Sequence, residues 1–102
     1  MRDRLELHEE LCTLLGSRNV YFSPPTNTSI KYPCFIYTFK EIDTKFADNK
    51  HYMTNGVYTI THIYREYNKS LLGVLLEHFD YISLKDRFKN DGLYHDVYKL
   101  YY

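Results

Sequence analysis

The hydrophobic positions near the start of the chain repeat with the period of an α-helix. Acidic residues fall mainly on the opposite side. Asp3 followed by Glu6 is an acidic version of the capping box, and Gly16 supplies a stop signal. We therefore predict an amphipathic helix over residues 3–16 that packs one face onto a sheet. Its apolar face consists of four leucines, Leu7, Leu11, Leu14 and Leu15.

Five later segments are rich in β-branched and aromatic residues and predict strands. Pro33 has to lie at the start or on the edge of its strand because it cannot donate a ladder hydrogen bond. The third segment is apolar on both alternating faces and should be central in the sheet. Asn90, Asp91 and Gly92 predict a hairpin turn between the last two strands. The segments are Val20–Phe22, Tyr32–Phe39, Val57–Tyr67, Tyr81–Phe88 and Leu93–Tyr101.

A second helix is predicted between the third and fourth strands. Asn68 or Ser70 can cap it, and it continues to Phe79 despite Gly73 in its middle. Val74 adds apolar surface on another side, so the helix is either deeply buried or shared with a neighbouring subunit. We expect deep burial. Its main apolar face is built from Leu71, Leu72, Leu75, Leu76 and Phe79.

The stretch from Glu41 to Gly56 is longer than a tight hairpin requires. Two interpretations stay open at this point: a long connection that contacts a partner, or a hairpin tip with strand extensions. In either case it is the first place to look for a partner contact.

The order helix, strand, long hairpin, helix, hairpin predicts an α+β fold, with a mainly antiparallel sheet and two helices packed on one face. A chain of 102 residues has the size of one domain, residues 1–102, which buries roughly two-thirds of its unfolded surface. The 12 tyrosines and 6 phenylalanines suit half-buried sheet faces and also interfaces.

The charge balance excludes a general electrostatic attraction to anionic partners. Lysine plus arginine equals aspartate plus glutamate, 13 of each, so binding of nucleic acid or an anionic membrane would need local clustering. No apolar run approaches the roughly 18 residues that span a bilayer, and the start of the chain lacks a signal-peptide pattern. We expect no membrane association and synthesis in the cytoplasm of the cell that makes the protein.

The chemistry-bearing residues do not form a known catalytic pattern. No serine lies in a nucleophile elbow, and the four glycines form neither a P-loop nor a dinucleotide turn, so we predict no catalytic residue and no cofactor. Cys12 and Cys34 fall at apolar positions, which predicts buried, reduced thiols.

The five histidines are scattered singly, so we predict no metal site. His62 and His95 could meet across the sheet beside Asp96, and an active site assembled from these residues between subunits is the third-ranked interpretation of the chain.

A basic surface offers one further alternative. Lys85, Arg87 and Lys89 alternate along the fourth strand near Tyr81 and Phe88, and this short strip is the part of the chain most similar to the basic and aromatic surface of a small nucleic-acid-binding module. We prefer a solvated strand edge protected by lysine.

Taken in order, several short signatures resemble the tail terminator and tail completion proteins of long-tailed bacteriophages. They cover most of the chain, and none is diagnostic by itself. The signatures are Val20–Pro25, Tyr32–Tyr37, Ala47–Asn49 with Tyr52, Tyr58–Ile63, Asp91–Tyr98, and Leu100–Tyr101.

The resemblance implies a small α+β subunit of the virion that forms a ring, usually a homohexamer, on the head-proximal end of the tail tube. Such a ring stops polymerisation of the tail tube protein and presents a surface to the head-tail connector proteins, while DNA passes through its lumen without specific binding. The family has no catalytic residues to transfer. On this basis we predict that Asp48, Asn49 and Tyr52 contact a neighbouring subunit or the tube. Another neck component, a connector adaptor or a stopper, is the alternative within the same machine.

Overall fold

A computed structural model of the chain describes residues 2–47 and 50–102, without the side chains of residues 43–54. It has the predicted α+β fold. The first half contains α1 (Arg4–Leu15), β1 (Val20–Phe22), β2 (Cys34–Ala47) and β3 (Lys50–Tyr64). The second half contains a 3₁₀ turn (Tyr67–Lys69), α2 (Leu72–His78), β4 (Ile82–Asn90) and β5 (Leu93–Tyr101).

The strands form one sheet in the order β1-β2-β3-β5-β4. Strand β3 is the central strand, as predicted. Only the short pairing of β1 with β2 is parallel among the described strands, and the other three pairings are antiparallel. The sheet is therefore mainly antiparallel, and its edges are β1 and β4.

Helix α1 begins and ends where its sequence signals predict. The carboxylate of Asp3 accepts a hydrogen bond from the backbone N–H of Leu5 at 3.1 Å. Gly16 adopts a left-handed conformation with φ of 79°, and its N–H donates to the carbonyl of Cys12 at 2.9 Å. Leu7 and Leu11 are fully buried, so the helix attaches to the sheet through its leucine face.

The core lies between the two helices and one face of the sheet, which we call the helix-bearing face. The strand registers place Phe35 and Tyr37 of β2 on this face, with Ile60 of β3 and Tyr98 and Leu100 of β5. These side chains pack with Leu7, Leu11 and Leu75 in one buried cluster. Both helices thus cover the same face of the sheet, as predicted, and we call the other side the helix-free face.

The stretch from Glu41 to Gly56 is paired rather than looped. Strands β2 and β3 pair from Glu41↔Val57 to Ala47↔Lys50, with register shifts after Phe39 and after Lys45. The strand extensions are therefore present, and the contact of this stretch with a partner stays a prediction. The extension was not visible in the sequence because its residues are polar and lack a regular alternation.

Several other strand boundaries differ from the prediction, among them the start of β2, which is Cys34 rather than Tyr32. Strand β3 ends at Tyr64 rather than at residue 67, because the chain turns there through the 3₁₀ segment and brings Ser70 to the buried carboxylate of Asp96. Strand β4 begins at Ile82 and continues to Asn90, two residues past the predicted end at Phe88. The tight turn at Asp91 and Gly92, which have φ of 51° and 75°, allows β4 and β5 to pair up to that point.

The expected deep burial of the second helix is wrong. Helix α2 has only seven residues and lies on the sheet through Leu75, which is fully buried. Its neighbours along the helix, Val74 and Leu76, are 45% and 47% exposed because each is rotated by about 100° from the buried side. The N-cap residue is Leu71 rather than either predicted cap; the hydroxyl of Ser70, one residue earlier, accepts a hydrogen bond from the N–H of Leu72. No helix in residues 2–47 or 50–102 is long and apolar enough to span a bilayer.

Candidate assembly site

The outer halves of β2 and β3 form an arm, which we define as residues 41–47 and 50–56. Strand β5 pairs with β3 only up to the pair Val57↔Tyr101, and β1 pairs with β2 only at residues 35–37. Beyond these points β2 and β3 pair only with each other among the described strands. At about 3.4 Å per residue the arm is roughly 20 Å long, and the molecule measures 50 × 28 × 23 Å. Both edges of the arm therefore have backbone groups available for a partner.

Exposed apolar side chains lie at the base of the arm, along the helix-bearing face of β1 and β2. Phe22 pairs with Tyr37 in the parallel ladder, and Phe39 and Ile42 follow on the same side of β2. Phe39 is 43% exposed and Ile42 is 52% exposed. We call Phe22, Phe39 and Ile42 the apolar strip. Large apolar side chains grouped in this way are typical of a contact surface.

Basic side chains accompany the apolar strip. The guanidinium carbon of Arg4 lies 4.2 Å from the centre of the Phe22 ring, and Arg4 also donates a hydrogen bond to the hydroxyl of Tyr37. His8 contacts the same hydroxyl at 2.7 Å, and burial raises the pKa of Tyr37 above its usual value. Lys40 is exposed between Phe39 and the arm. Arg4 and Lys40 thus place positive charge beside the apolar strip, and the exposed Glu41 lies next to Lys40 in the chain.

The three residues predicted to make the partner contact belong to the arm region. Asp48 and Asn49 lie outside the described residues. Tyr52 belongs to β3 and falls at the register shift between the pairs Lys45↔Met53 and Phe46↔His51, while its side chain lies outside the described part. The assignment of these residues to an interface stays a prediction.

An acidic and apolar corner lies at the opposite edge of the sheet, where α2 leads into β4. Leu76 and Tyr81 expose 47% and 63% of their surface, and the carboxylates of Glu77 and Asp80 are exposed beside them. We call these four residues the acidic corner. It differs from the apolar strip in charge, and it lies across the sheet from the strip because β4 is the other edge strand.

A buried carboxylate cluster joins β3, β4 and β5 beneath α2. Asp96 is fully buried, and Arg87 donates to both of its oxygens, from Nε at 2.8 Å and from Nη2 at 3.1 Å. The hydroxyls of Tyr64 and Ser70 each donate to Oδ2 at 2.9 Å. Burial alone would raise the pKa of Asp96, but these hydrogen bonds outweigh it and hold the pKa below its usual value. Asp96 is therefore a charged structural anchor.

His62 and Asp96 are cross-strand neighbours, but the proposed combination with His95 does not form. His62 is buried on the helix-bearing face, whereas the register puts His95 on the helix-free face, where its ring stacks on Phe88 at 4.7 Å. Burial lowers the pKa of His62 to about 4, although Asp96 acts in the opposite direction. The imidazole is thus neutral near pH 7, and its Nδ1 lacks a hydrogen-bond partner among the described residues. Within one subunit the two histidines thus lie on opposite faces of the sheet, and an active site between subunits stays a hypothesis.

The alternating basic residues of β4 do not form a free cationic surface. Arg87 is paired with Asp96, and Lys89 lies over the ring of Tyr94 at 5.1 Å from its centre. A register shift after Leu84 also interrupts the regular alternation of the strand, so Lys85 is out of step with Arg87 and Lys89. The charge available to a phosphate backbone is correspondingly smaller than the sequence indicated.

The side chains that could hold a metal or react as nucleophiles are dispersed. Cys12 and Cys34 are free thiols and both are buried, as predicted; burial raises the pKa of Cys34 to about 12. No group of three or more histidine, cysteine, aspartate or glutamate side chains in the described residues could hold a metal ion. A cleft of about 330 Å³ lies beside His62, between Leu15, Pro33 and Leu71.

Comparisons of this chain with protein-family models, with curated proteins and with solved structures gave no match. The site is therefore defined by its own geometry: a projecting arm, the apolar strip at its base, and the acidic corner at the far edge. The sequence indicated the arm region but not the strip or the corner. Their apolar residues carry no distinguishing signal, because Phe39 and Leu76 fit the interior pattern of their own strand and helix.

Proposed function

We propose that this chain is a structural protein of a long-tailed bacteriophage virion. In this proposal a ring of subunits, six in the usual case, sits on the head-proximal end of the tail tube, ends polymerisation of the tube protein and joins the tail to the head connector. The observation that carries the proposal is the arm, which extends roughly 20 Å beyond the core with its backbone edges unpaired in the described strands. An arm of this kind gains its full set of backbone hydrogen bonds by contacting another chain.

The helix-free face is suited to line a passage for DNA. The register puts Thr59 and Thr61 of β3 on this face with Thr38 of β2, and Lys99 is its one lysine or arginine among the described residues 57–64 of β3 and 93–101 of β5. A surface of hydroxyl groups with little charge neither repels a phosphate backbone strongly nor holds it. It therefore allows DNA to pass without specific binding.

The sequence signatures that resemble tail terminators lie along the same structural features. Val20–Pro25 includes β1, Tyr32–Tyr37 opens β2, Tyr58–Ile63 is the central part of β3, and Asp91–Tyr98 covers the last turn and most of β5. The signatures thus describe the sheet that the arm extends. The resemblance supports the proposal through the order of these segments.

Deletion of the gene from the genome that encodes it tests the proposal directly. A terminator predicts tails that are overlong or not attached to heads, seen by electron microscopy of the particles. Heads that leak DNA would instead indicate that the chain is a stopper. Heads without a complete neck would indicate that it is a connector adaptor. Particles of normal length and infectivity would overturn the proposal.

Complementation with Tyr52→Ala then tests the predicted contact of the arm. The variant should fold as the wild type does, by circular dichroism and urea unfolding, but restore few normal tails. Tyr67→Ala, which removes a tyrosine from the body of the molecule instead of the arm, should complement fully. Full complementation by both variants would exclude Tyr52 from the interface.

A further inference from the structure

The surface of this chain carries two unlike apolar patches at opposite edges of one sheet. The apolar strip, Phe22, Phe39 and Ile42, borders the β1 and β2 edge, and the acidic corner, Leu76, Glu77, Asp80 and Tyr81, lies at the β4 edge. We propose that the acidic corner of one copy binds the apolar strip of a second copy. This inference rests on the proposed function, because it names the contact from which the ring is built.

The charges at the two patches are complementary. Arg4 and Lys40 border the strip, whereas Glu77 and Asp80 belong to the corner. Lys40, Glu77 and Asp80 have no ion pair within the described part of the chain, while Glu9 and Glu10 on α1 are paired with arginine or histidine. Opposite charges around an apolar centre are the usual arrangement of an interface.

The positions of the patches determine the symmetry of the contact. A contact between two different surfaces is heterologous, and it leaves one strip and one corner free in every open assembly. Repetition therefore adds subunits, and it forms the proposed ring if the rotation between neighbours closes. Because the patches lie at the two edges of the sheet, neighbouring sheets follow one another around the ring. The helix-bearing and helix-free faces then form its two walls.

Charge reversal tests this contact with the full chain. Light scattering should give a mass well above that of a dimer for the wild type. Lys40→Glu should place like charges against Glu77 and Asp80 and weaken association by about tenfold or more, and Asp80→Lys should do the same against Lys40. Lys69→Glu and Glu66→Lys make equal charge changes outside both patches and should leave the mass unchanged.

A mixture of the two variants gives the sharper result. In an alternating assembly Glu at position 40 faces Lys at position 80, and the remaining contacts are those of the wild type. The mixture of Lys40→Glu with Asp80→Lys, and the doubly substituted chain, should therefore both recover the large mass. A wild type that stays monomeric at every concentration, or variants that assemble as the wild type does, would overturn the proposed contact.

The same variants separate this inference from the proposed function. If gene deletion gives overlong or detached tails but the two charge variants complement fully, the chain is a tail protein that associates through other surfaces. If the charge variants lose and recover assembly as expected but gene deletion leaves tails normal, the contact is correct and the proposed function fails.

Discussion

Arg87 on β4 binds both oxygens of the Asp96 carboxylate on β5. Asp96 is completely buried, whereas 42% of the Arg87 side chain is exposed. The pair joins the edge strand to its neighbour at the place where Ser70 attaches the segment before α2. Strand β4 is thus held at its middle by a charge-assisted bond in addition to its backbone ladder.

Arg87→Met should destabilise the protein by leaving a buried carboxylate without its cation. Removing one partner of a fully buried pair costs about 3–5 kcal/mol; because Arg87 is partly exposed, we expect a loss of about 2–3 kcal/mol in the free energy of unfolding. Urea unfolding measures this loss in the free energy of unfolding. Lys85→Met removes an exposed lysine from the same strand and should change the value by less than about 0.5 kcal/mol. Equal effects of both substitutions would contradict the anchoring role of Arg87.

His62 should make stability fall as the pH is lowered from about 6.5 to about 4. Its folded pKa is about 4 because burial disfavours the imidazolium, whereas the unfolded chain titrates near 6.5. Between these values the unfolded state binds more protons, so protonation favours unfolding, by up to about 3 kcal/mol at the acid end. Replacing His62 with Phe should flatten this part of the stability profile. Thr61→Ala, next to His62 but on the helix-free face, should retain the slope.

Two glycine substitutions should shift stability in opposite directions. Gly92→Ala places a side chain at φ of 75°, which L-residues rarely adopt, and should cost about 1 kcal/mol or more. Gly73 lies within α2, and a Cβ there would meet no atom within 4 Å, so Gly73→Ala should add about 0.5–1 kcal/mol. Thermal unfolding of both variants shows whether each substitution raises or lowers the stability. A stabilising Gly92→Ala would contradict the turn geometry.

Tyr102→Phe should loosen the attachment of α1 to the end of β5. The Tyr102 hydroxyl donates a hydrogen bond to the carboxylate of Glu10, which also contacts His78 of α2 at 2.9 Å. Loss of the hydroxyl keeps the ring in place and removes one charge-assisted bond, which predicts a decrease of about 1–2 kcal/mol. Tyr101 is half-buried and lies on the helix-free face, so Tyr101→Phe should change the free energy of unfolding by less than about 0.5 kcal/mol. Denaturant unfolding distinguishes the two.

The sequence predicted those parts of the fold in which local signals and packing agree. Helix α1 begins at Asp3 and ends at Gly16 because a cap, a leucine face and a left-handed glycine all indicate the same boundaries. The turn at Asp91 and Gly92 was predictable for a similar reason. The arm was not, because pairing alone, without an apolar pattern, keeps residues 41–47 in strand conformation.

The candidate site was less predictable than the fold. The exposure of Leu76 follows from the short length of α2 and from its position over the sheet edge, which only the packed structure reveals. The carboxylate cluster likewise depends on a register shift in β4 that turns Arg87 toward Asp96. Periodicity in the sequence describes a strand as regular, so a bulge that redirects one side chain cannot be read from it.

Because the arm is separate from the core, the length of the arm can change without a change in the core. The described members of the core cluster all lie outside the arm. Insertion or deletion of matched pairs of residues in both strands would preserve the side-chain alternation while altering the reach of the hairpin. Under the proposed function, lengthening or shortening the arm would fit it to tubes of different diameter, while the folded body keeps its dimensions.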